Sequence, residues 1–546
     1  MDFQTINTTP YLDQKPGTAG LRKKTKVYMQ DNYTANFVQS IFDVVKERGL
    51  VLENSSFVIG GDGRFYYKQA LQIIAKIAIA NGVKRLVIAK DGFCSSPAIS
   101  TIIRKYGLQG GFILTASHNP GGENSDFGIK YEVENGGGAP SEITDAIYEN
   151  TKIISEYKTL NCDDIDISYI HKETISNTEI EIIDGFIDHV ELLERLFDFD
   201  AIRNFFKSGF KFRFDAMNAV TGPEAKYLFE EVLGAPKGTV IRDVPMEDFG
   251  GIHPDPNLTY NKELADFMYS QDATDLGAAC DGDGDRNMIV GRNFFVSPGD
   301  SLALIVERAK ECIPSFKNEL YGVARSMPTS TQVDKVASAL GIDCYEVPTG
   351  WKFFANLMDA KKCSICGEES FGTSSDHIRE KDGLWAILCW INIMAKTGLS
   401  VKELMTKHWE RFGRCYYQRQ DFENLDLDAA NKMFADIREN LQSFKGISFA
   451  GSKITNIDDF CYNDPVDGSV TPKQGIRIYL EGGSRVVFRL SGTGSSGATL
   501  RVYLEKYEKE DILSDPNQKL KALGDAVMGF LNIKERFNVT GPTVTT

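Results

Sequence analysis

Ser117 and His118 stand together in Thr115-Ala116-Ser117-His118-Asn119-Pro120, after the apolar run Gly111-Phe112-Ile113-Leu114 and before Gly121-Gly122. An apolar run broken by polar residues, a proline and two glycines predicts a buried strand emptying into a loop. A serine hydroxyl at such a strand end can carry a transferred group, and the imidazole beside it can help move protons. The same residues also make an ordinary polar turn. A hydrolase nucleophile elbow is excluded, because Gly-x-Ser-x-Gly needs a glycine where Thr115 stands.

Asp281-Gly282-Asp283-Gly284-Asp285-Arg286 follows the strand-like Leu276 to Cys280. Three carboxylates at alternate positions repel one another when brought together without a cation, so the pattern points to a hard metal ion with oxygen ligands. The intervening glycines let the backbone bend until all three converge. A solvated acidic turn is the plainer reading. An EF-hand beginning at Asp281 fails, since Arg286 and Arg292 occupy the positions that need Gly and Glu. An aspartyl phosphatase using Asp281 as nucleophile and Asp283 as acid or base stays open.

Further polar clusters come with their own alternatives. Gly367-Glu368-Glu369-Ser370 pairs carboxylate with hydroxyl, a set suited to sugar hydroxyls, although both types are common on surfaces. Lys381, within Asp376 to Gly383, is a candidate proton donor if partial burial lowers its pKa. Lys15 to Lys24 is a glycine-bearing loop in which Arg22 can grip an anion through a fork of donors, or simply a surface turn. In Arg489 to Gly497, Ser491, Thr493 and Ser495 alternate with glycines and can present hydroxyls and amides to a phosphate, with Arg501 adding a bidentate charge. No Gly-Lys-Ser/Thr follows, so this is not a Walker loop.

The elements that must position these residues alternate short apolar runs with helical periods, the grammar of parallel α/β units. Phe57 to Gly60, Val83 to Ala89, Phe212 to Phe214, Leu276 to Cys280, Gly322 to Ala324 and Ile342 to Val347 are expected strands, and Tyr67 to Asn81 a helix. Asn161 to Thr178 is expected to be a peripheral connection, and Phe249 to Asn257 a loop around fixed prolines. Arg485 to Leu490 and Thr499 to Glu505 predict antiparallel strands of an α+β domain. At 546 residues the chain should form three or four domains. A net charge of -15 argues against general affinity for nucleic acid or anionic membrane. The ten cysteines lack framework spacing, which suits a reducing compartment, and Cys363-Ser364-Ile365-Cys366 alone makes a poor zinc site. The start has no secretory signal pattern, and no apolar run is long enough for an integral membrane segment.

In this order the four loops resemble those of the α-D-phosphohexomutase superfamily, specifically its eukaryotic-type phosphoglucomutases, the branch that includes parafusin-like proteins. The resemblance runs from Pro16-Gly17-Thr18 to Arg501. It implies three related α/β domains with mixed sheets plus a C-terminal α+β domain, heart-shaped around a central cleft, spanning 1–187, 188–297, 298–413 and 414–546. It implies reversible interconversion of glucose 1-phosphate and glucose 6-phosphate through phosphorylated Ser117, with glucose 1,6-bisphosphate as intermediate. Mg2+ would be held by Asp281, Asp283, Asp285 and the phosphoserine. Glu368 and Ser370 would hold sugar hydroxyls, and Ser491, Thr493, Ser495 and Arg501 the second phosphate. Thr349-Gly350 would form a further substrate loop. Lys381, Lys130 and His118 would transfer protons, with Arg22 and Arg286 supporting charge. Glu369 and Gly492 stand where bacterial phosphomannomutase/phosphoglucomutases typically carry Met and Asn, which favours glucose phosphates. Ala19 and Ser374 replace an expected Ser and Gly, and Ser374 would affect the flexibility of the sugar loop. A cytoplasmic monomer or weak dimer is expected. The alternatives are a parafusin-like phosphoprotein with a trafficking or binding role, and the aspartyl phosphatase.

Overall fold

The alternating periods resolve into four units in the computed structural model, which describes residues 2–492 and 497–546. In the first unit, β1 (Leu21–Lys24), β2 (Ser56–Gly61), β3 (Arg85–Phe93), β4 (Gly110–Leu114), β5 (Asp126–Val133), β6 (His171–Ile175) and β7 (Thr178–Ile183) form one mixed sheet, in the order β1-β5-β4-β2-β3-β7-β6. Its central strands read as unbroken apolar runs because both faces are covered. Phe57 and Ile59 point into one core and Val58, between them, into the other.

The segment 161–178 is more than a connection. It contributes β6, antiparallel to β7 at the sheet edge. This strand, His-Lys-Glu-Thr-Ile, is largely exposed. Charged residues guard an edge strand against unwanted pairing, and the same charge makes its sequence look like a loop.

The second unit carries β8 (Phe212–Asp215), β9 (Val240–Ile241), β10 (Leu276–Cys280), β11 (Asn287–Gly291) and β12 (Phe294–Val296), in the order β9-β8-β10-β11-β12. The third carries β13 (Gly322–Ser326), β14 (Asp343–Val347), β15 (Ile365–Gly367) and β16 (Thr373–Ser375), in the order β14-β13-β15-β16. These two units share one hydrophobic core, which runs from Leu193 and Phe214 through Leu302 to Trp385, Trp390 and Trp409. The helix Gly383–Thr397 lies in its middle, buried almost throughout its length. Its run Leu-Trp-Ala-Ile-Leu-Cys-Trp-Ile is apolar all round because neighbours from both units cover it.

The fourth unit is an antiparallel sheet of β17 (Arg414–Leu425), β18 (Ser448–Phe449), β19 (Ser452–Asp459), β20 (Ile476–Leu480), β21 (Arg485–Gly492), β22 (Ala498–Glu508) and β23 (Val544–Thr545), in the order β18-β19-β20-β21-β22-β17-β23. The expected pairing of β21 with β22 is present, with Arg489 opposite Arg501. Alternation puts Val486, Phe488, Leu500 and Val502 into a core under the helices Leu427–Glu439 and Pro516–Phe530. Among the described residues, no single helix is long and apolar enough to cross a membrane. Cys363 and Cys366 are buried and unbridged.

Candidate active site

β4 ends at Leu114, and Ser117 follows with φ 53°, a left-handed backbone that non-glycine residues seldom adopt. Buried polar contacts enforce this turn. The Ser117 amide donates to Thr115 Oγ1 at 2.7 Å, and Thr115 Oγ1 donates to Asp62 Oδ2 at 2.6 Å. Arg64, fully buried with Asp62, pairs with it and donates from Nη2 to the Ser117 carbonyl at 2.7 Å. The turn after β2 therefore holds the serine loop from below. Glycine at 282 is a steric requirement, since a Cβ there would come within 2.5 Å of the Ser117 carbonyl oxygen.

The Ser117 hydroxyl donates to Asp281 Oδ2 at 2.8 Å, joining the first unit to the second. Asp281, Asp283 and Asp285 are buried, and each offers a carboxylate oxygen within 4.8 Å of the others. Asp281 Oδ1 accepts the Arg286 amide at 3.0 Å, and Asp283 Oδ2 accepts the Ser96 hydroxyl at 2.8 Å. Asp285 Oδ2 pairs with Lys381 Nζ at 2.7 Å. Asp283 Oδ1 and Asp285 Oδ1 are buried without a hydrogen-bond partner. Burial, then Asp285 and Asp283, push the Asp281 carboxyl well above the usual carboxylate range. Two orphaned oxygens in an all-oxygen donor set fit a small hard cation.

The nominated proton carriers divide. Lys381 does not meet its expectation: burial lowers its pKa, but the attraction of Asp285 and Glu368 together makes the net shift upward. Its partner lies in the preceding unit, out of reach of any local reading. Lys130 is caged by Glu132 at 2.9 Å and Glu380 at 2.5 Å. Burial opposes its charge, yet the two glutamates raise its pKa. Both lysines stay cationic. His118 is pushed well below its usual value by burial, Arg286 and Arg22, so its ring is neutral. Its Nδ1 lies 3.4 Å from Ser117 Oγ.

Arg22, on β1, faces the same acids, with its Nε buried and unpartnered. Burial lowers its pKa against the pull of Asp283. Arg286 Nη1 pairs with Asp255 at 3.2 Å. The proline loop 249–257 thus helps to build the site, and its His253 stacks on His118 with centroids 6.3 Å apart. On the third unit, Glu368 accepts the Gly350 amide at 3.2 Å, which joins the sugar loop to Thr349-Gly350. Thr349 Oγ1 is buried without a partner, and burial raises the Glu368 carboxyl. Ser370 is half-buried at the turn between β15 and β16. Ser374 is buried within β16, paired with Cys366, so it belongs to a strand rather than to the turn of the sugar loop.

On the fourth unit, Ser491 is the penultimate residue of β21, its hydroxyl 3.5 Å from the Thr499 carbonyl, whereas Thr493 and Ser495 lie outside the described residues. Arg501 Nε approaches Asp421 at 3.8 Å. Arg489 is opposite Arg501 in the sheet, and Arg419 pairs with Asp421. Sequence reasoning missed Asp62, Arg64, Ser96, His253, Asp255 and Arg419. Only alternation along β17 could have flagged Arg419; the others are isolated polar residues that folding brings to the loops.

A serine hydroxyl bonded to a buried group of three carboxylates, with the guanidinium groups of Arg22 and Arg286 close by, is an arrangement suited to phosphoryl transfer. Family models for phosphoglucomutase/phosphomannomutase α/β/α domains I, II and III match residues 13–158, 184–294 and 298–412. The phosphoglucomutase-1 C-terminal domain model matches residues 414–543. The chain belongs to the phosphoglucomutase/phosphomannomutase family. It is 54% identical over 508 residues to a phosphoglucomutase of Rhizobium radiobacter, covering 93% of each chain. It is 48% identical to a cytoplasmic phosphoglucomutase of Populus tremula, covering 99% of each. Other plant relatives are named chloroplastic. The crystal structure of the Paramecium exocytosis-sensitive phosphoprotein pp63/parafusin (phosphoglucomutase), open form, matches with TM-score 0.92 at 44% identity, covering 100% of this chain and 99% of that one.

Proposed function

We propose that the protein is a phosphoglucomutase that interconverts glucose 1-phosphate and glucose 6-phosphate through phosphorylated Ser117, an isomerase in net effect. The observation that carries this is the 2.8 Å hydrogen bond from Ser117 Oγ to Asp281, next to the orphaned oxygens of Asp283 and Asp285. Asp281, Asp283 and Asp285 would hold Mg2+, which supplies charge neutralisation for the transferring group. The phosphoryl group leaves Ser117 Oγ for the free sugar hydroxyl, whose proton passes to a base and from it to the departing serine oxygen, which restores the Ser117 hydroxyl. His118, neutral and 3.4 Å from Ser117 Oγ, suits that role. Lys381, Lys130, Arg22 and Arg286 serve as fixed positive charge. Glucose 1,6-bisphosphate then turns around and returns its other phosphate to Ser117. Glu368 and Ser370 orient sugar hydroxyls, while Ser491, Arg489 and Arg501 receive the phosphate that is not reacting.

Every group in this scheme comes from one chain, so a monomer suffices, and the likeness to cytoplasmic relatives supports a cytoplasmic enzyme. An aspartyl phosphatase is disfavoured by the likeness over nearly the whole chain to relatives named phosphoglucomutase. The likeness to parafusin supports a second, non-catalytic role as a phosphoprotein without displacing the first. The test supplies the purified protein with Mg2+, glucose 1,6-bisphosphate and glucose 1-phosphate. Glucose 6-phosphate should form, and Ser117→Ala should abolish it. Net phosphate release that survives Ser117→Ala would sink the reading.

A further inference from the structure

His189 lies outside every loop described above. It is fully buried on the helix Ile187–Leu196. Its Nδ1 meets Glu224 Oε1 at 2.5 Å and its Nε2 meets Asp382 Oδ2 at 2.8 Å. Two carboxylates can be satisfied at once only if both ring nitrogens carry protons, so His189 is an imidazolium. Burial works against that charge, but Asp382 and Glu224 outweigh it and raise the pKa to about 10. His377 completes the cluster as the neutral partner. Its Nε2 donates to Asp382 Oδ2 at 2.9 Å, and its Nδ1 accepts from Ser375 at 2.6 Å.

From this imidazolium two chains of contacts run to opposite sides of the acidic loop. Along the first, Glu224 Oε2 accepts the Ser95 hydroxyl at 2.9 Å. Ser95 caps the helix Ser96–Tyr106, and Ser96 donates to Asp283 twice, from its amide to the carbonyl at 2.9 Å and from its hydroxyl to Oδ2 at 2.8 Å. Along the second, Asp382 caps the helix Gly383–Thr397 through the Trp385 amide at 2.9 Å. The residue before Asp382 is Lys381, paired with Asp285, and the residue after it is Gly383, whose amide donates to the Gly284 carbonyl at 3.1 Å.

We propose that His189 is a positioning residue for the phosphoryl-transfer site, a buried imidazolium that holds two helix caps and through them fixes Asp283 and Asp285 from opposite sides. Removing it leaves Glu224 and Asp382 as buried carboxylates without their shared counter-charge, so both caps relax and the carboxylate cluster loses its geometry. Groups that orient metal ligands typically carry about 10–100-fold in metal affinity or activity. The inference rests on reading the acidic loop as a cation site.

The test compares full-length wild type with His189→Gln, using Mn2+ as the probe. Free Mn2+ is measured by electron paramagnetic resonance without substrate; kcat and KM for glucose 1-phosphate, far-UV circular dichroism and melting temperature are measured in parallel. His189→Gln should weaken Mn2+ binding and lower kcat, each by about 10-fold or more, with KM within about twofold and the circular dichroism retained. Unchanged Mn2+ affinity and kcat beside a lowered melting temperature would overturn the proposal and leave His189 a structural strut. If His189→Gln does not fold, Ser95→Ala and Glu224→Gln, which break one chain of contacts, decide: a loss in Mn2+ affinity supports the proposal and wild-type affinity overturns it. A wild-type protein that binds no Mn2+ would instead sink the cation-site reading.

Discussion

Ser117 and Asp281 meet across the boundary between the first two units, with the serine hydroxyl donating to the aspartate at 2.8 Å. The carboxylate is buried and crowded by Asp285 and Asp283, which raise its pKa, so its charge is the property at stake. Asp281→Asn keeps the shape and loses the charge. We expect kcat to fall by about 10²–10³-fold, the usual scale for removing one preorganised electrostatic contact, with the fold intact. A coupled assay for glucose 6-phosphate measures it, and a near-normal kcat would contradict the assignment.

Arg64 and Asp62 are both fully buried, and the guanidinium also holds the Ser117 carbonyl. Arg64→Leu leaves an uncompensated carboxylate in the core. The expected loss is about 3–5 kcal/mol of stability, read from urea unfolding. Activity should fall even where the protein remains folded.

Gly282→Ala places a methyl group 2.5 Å from the Ser117 carbonyl oxygen, where backbone rather than a flexible side chain must yield. Overpacking of this kind costs about 1–3 kcal/mol. The sharper outcome should be a fall in kcat, because the displaced carbonyl belongs to Ser117, the proposed carrier. A variant with unchanged kinetics would show that the two loops can separate freely.

Arg489 and Arg501 face each other across β21 and β22. If they receive the non-reacting phosphate, Arg489→Ala should raise KM for glucose 1-phosphate about 10-fold or more, the worth of a hydrogen bond to a charged group, and disturb kcat less. Steady-state kinetics separates the two.

His189 carries a sign that can be tested by pH. Its folded pKa of about 10 lies above the 6.5 of a free imidazole, so its contribution is complete below 6.5 and is lost as pH rises through 10. Glu224, Asp382 and the neutral His377 are the groups that face it. Unfolding free energies of wild type and His189→Gln should differ most below pH 6.5, less at neutral pH, and converge as pH rises to about 10. A constant difference would mean the imidazole acts by shape alone.

Much of the site was legible because chemistry and topology coincide along short stretches. The residues of 115–120 and 281–286 follow strands whose apolar runs announce them, and Asp281 and Ser117 then meet without any intervening element. Lys381 was legible as a participant but not in its sign, since its pKa depends on Asp285 from another unit. Arg64, Ser96 and Asp255 carry no local signature, because Ser117, Asp283 and Arg286, which they hold, lie far from them in sequence and meet them only in the fold. β6 was hidden by the charges that protect it as an edge.

The left-handed backbone at Ser117 bears on which amino acid could serve as the proposed phosphoryl carrier. Threonine offers an equivalent hydroxyl, but a β-branched residue at φ 53° is a steric outlier. The turn built by Thr115, Asp62 and Arg64 therefore discriminates between two chemically competent alcohols before any sugar arrives.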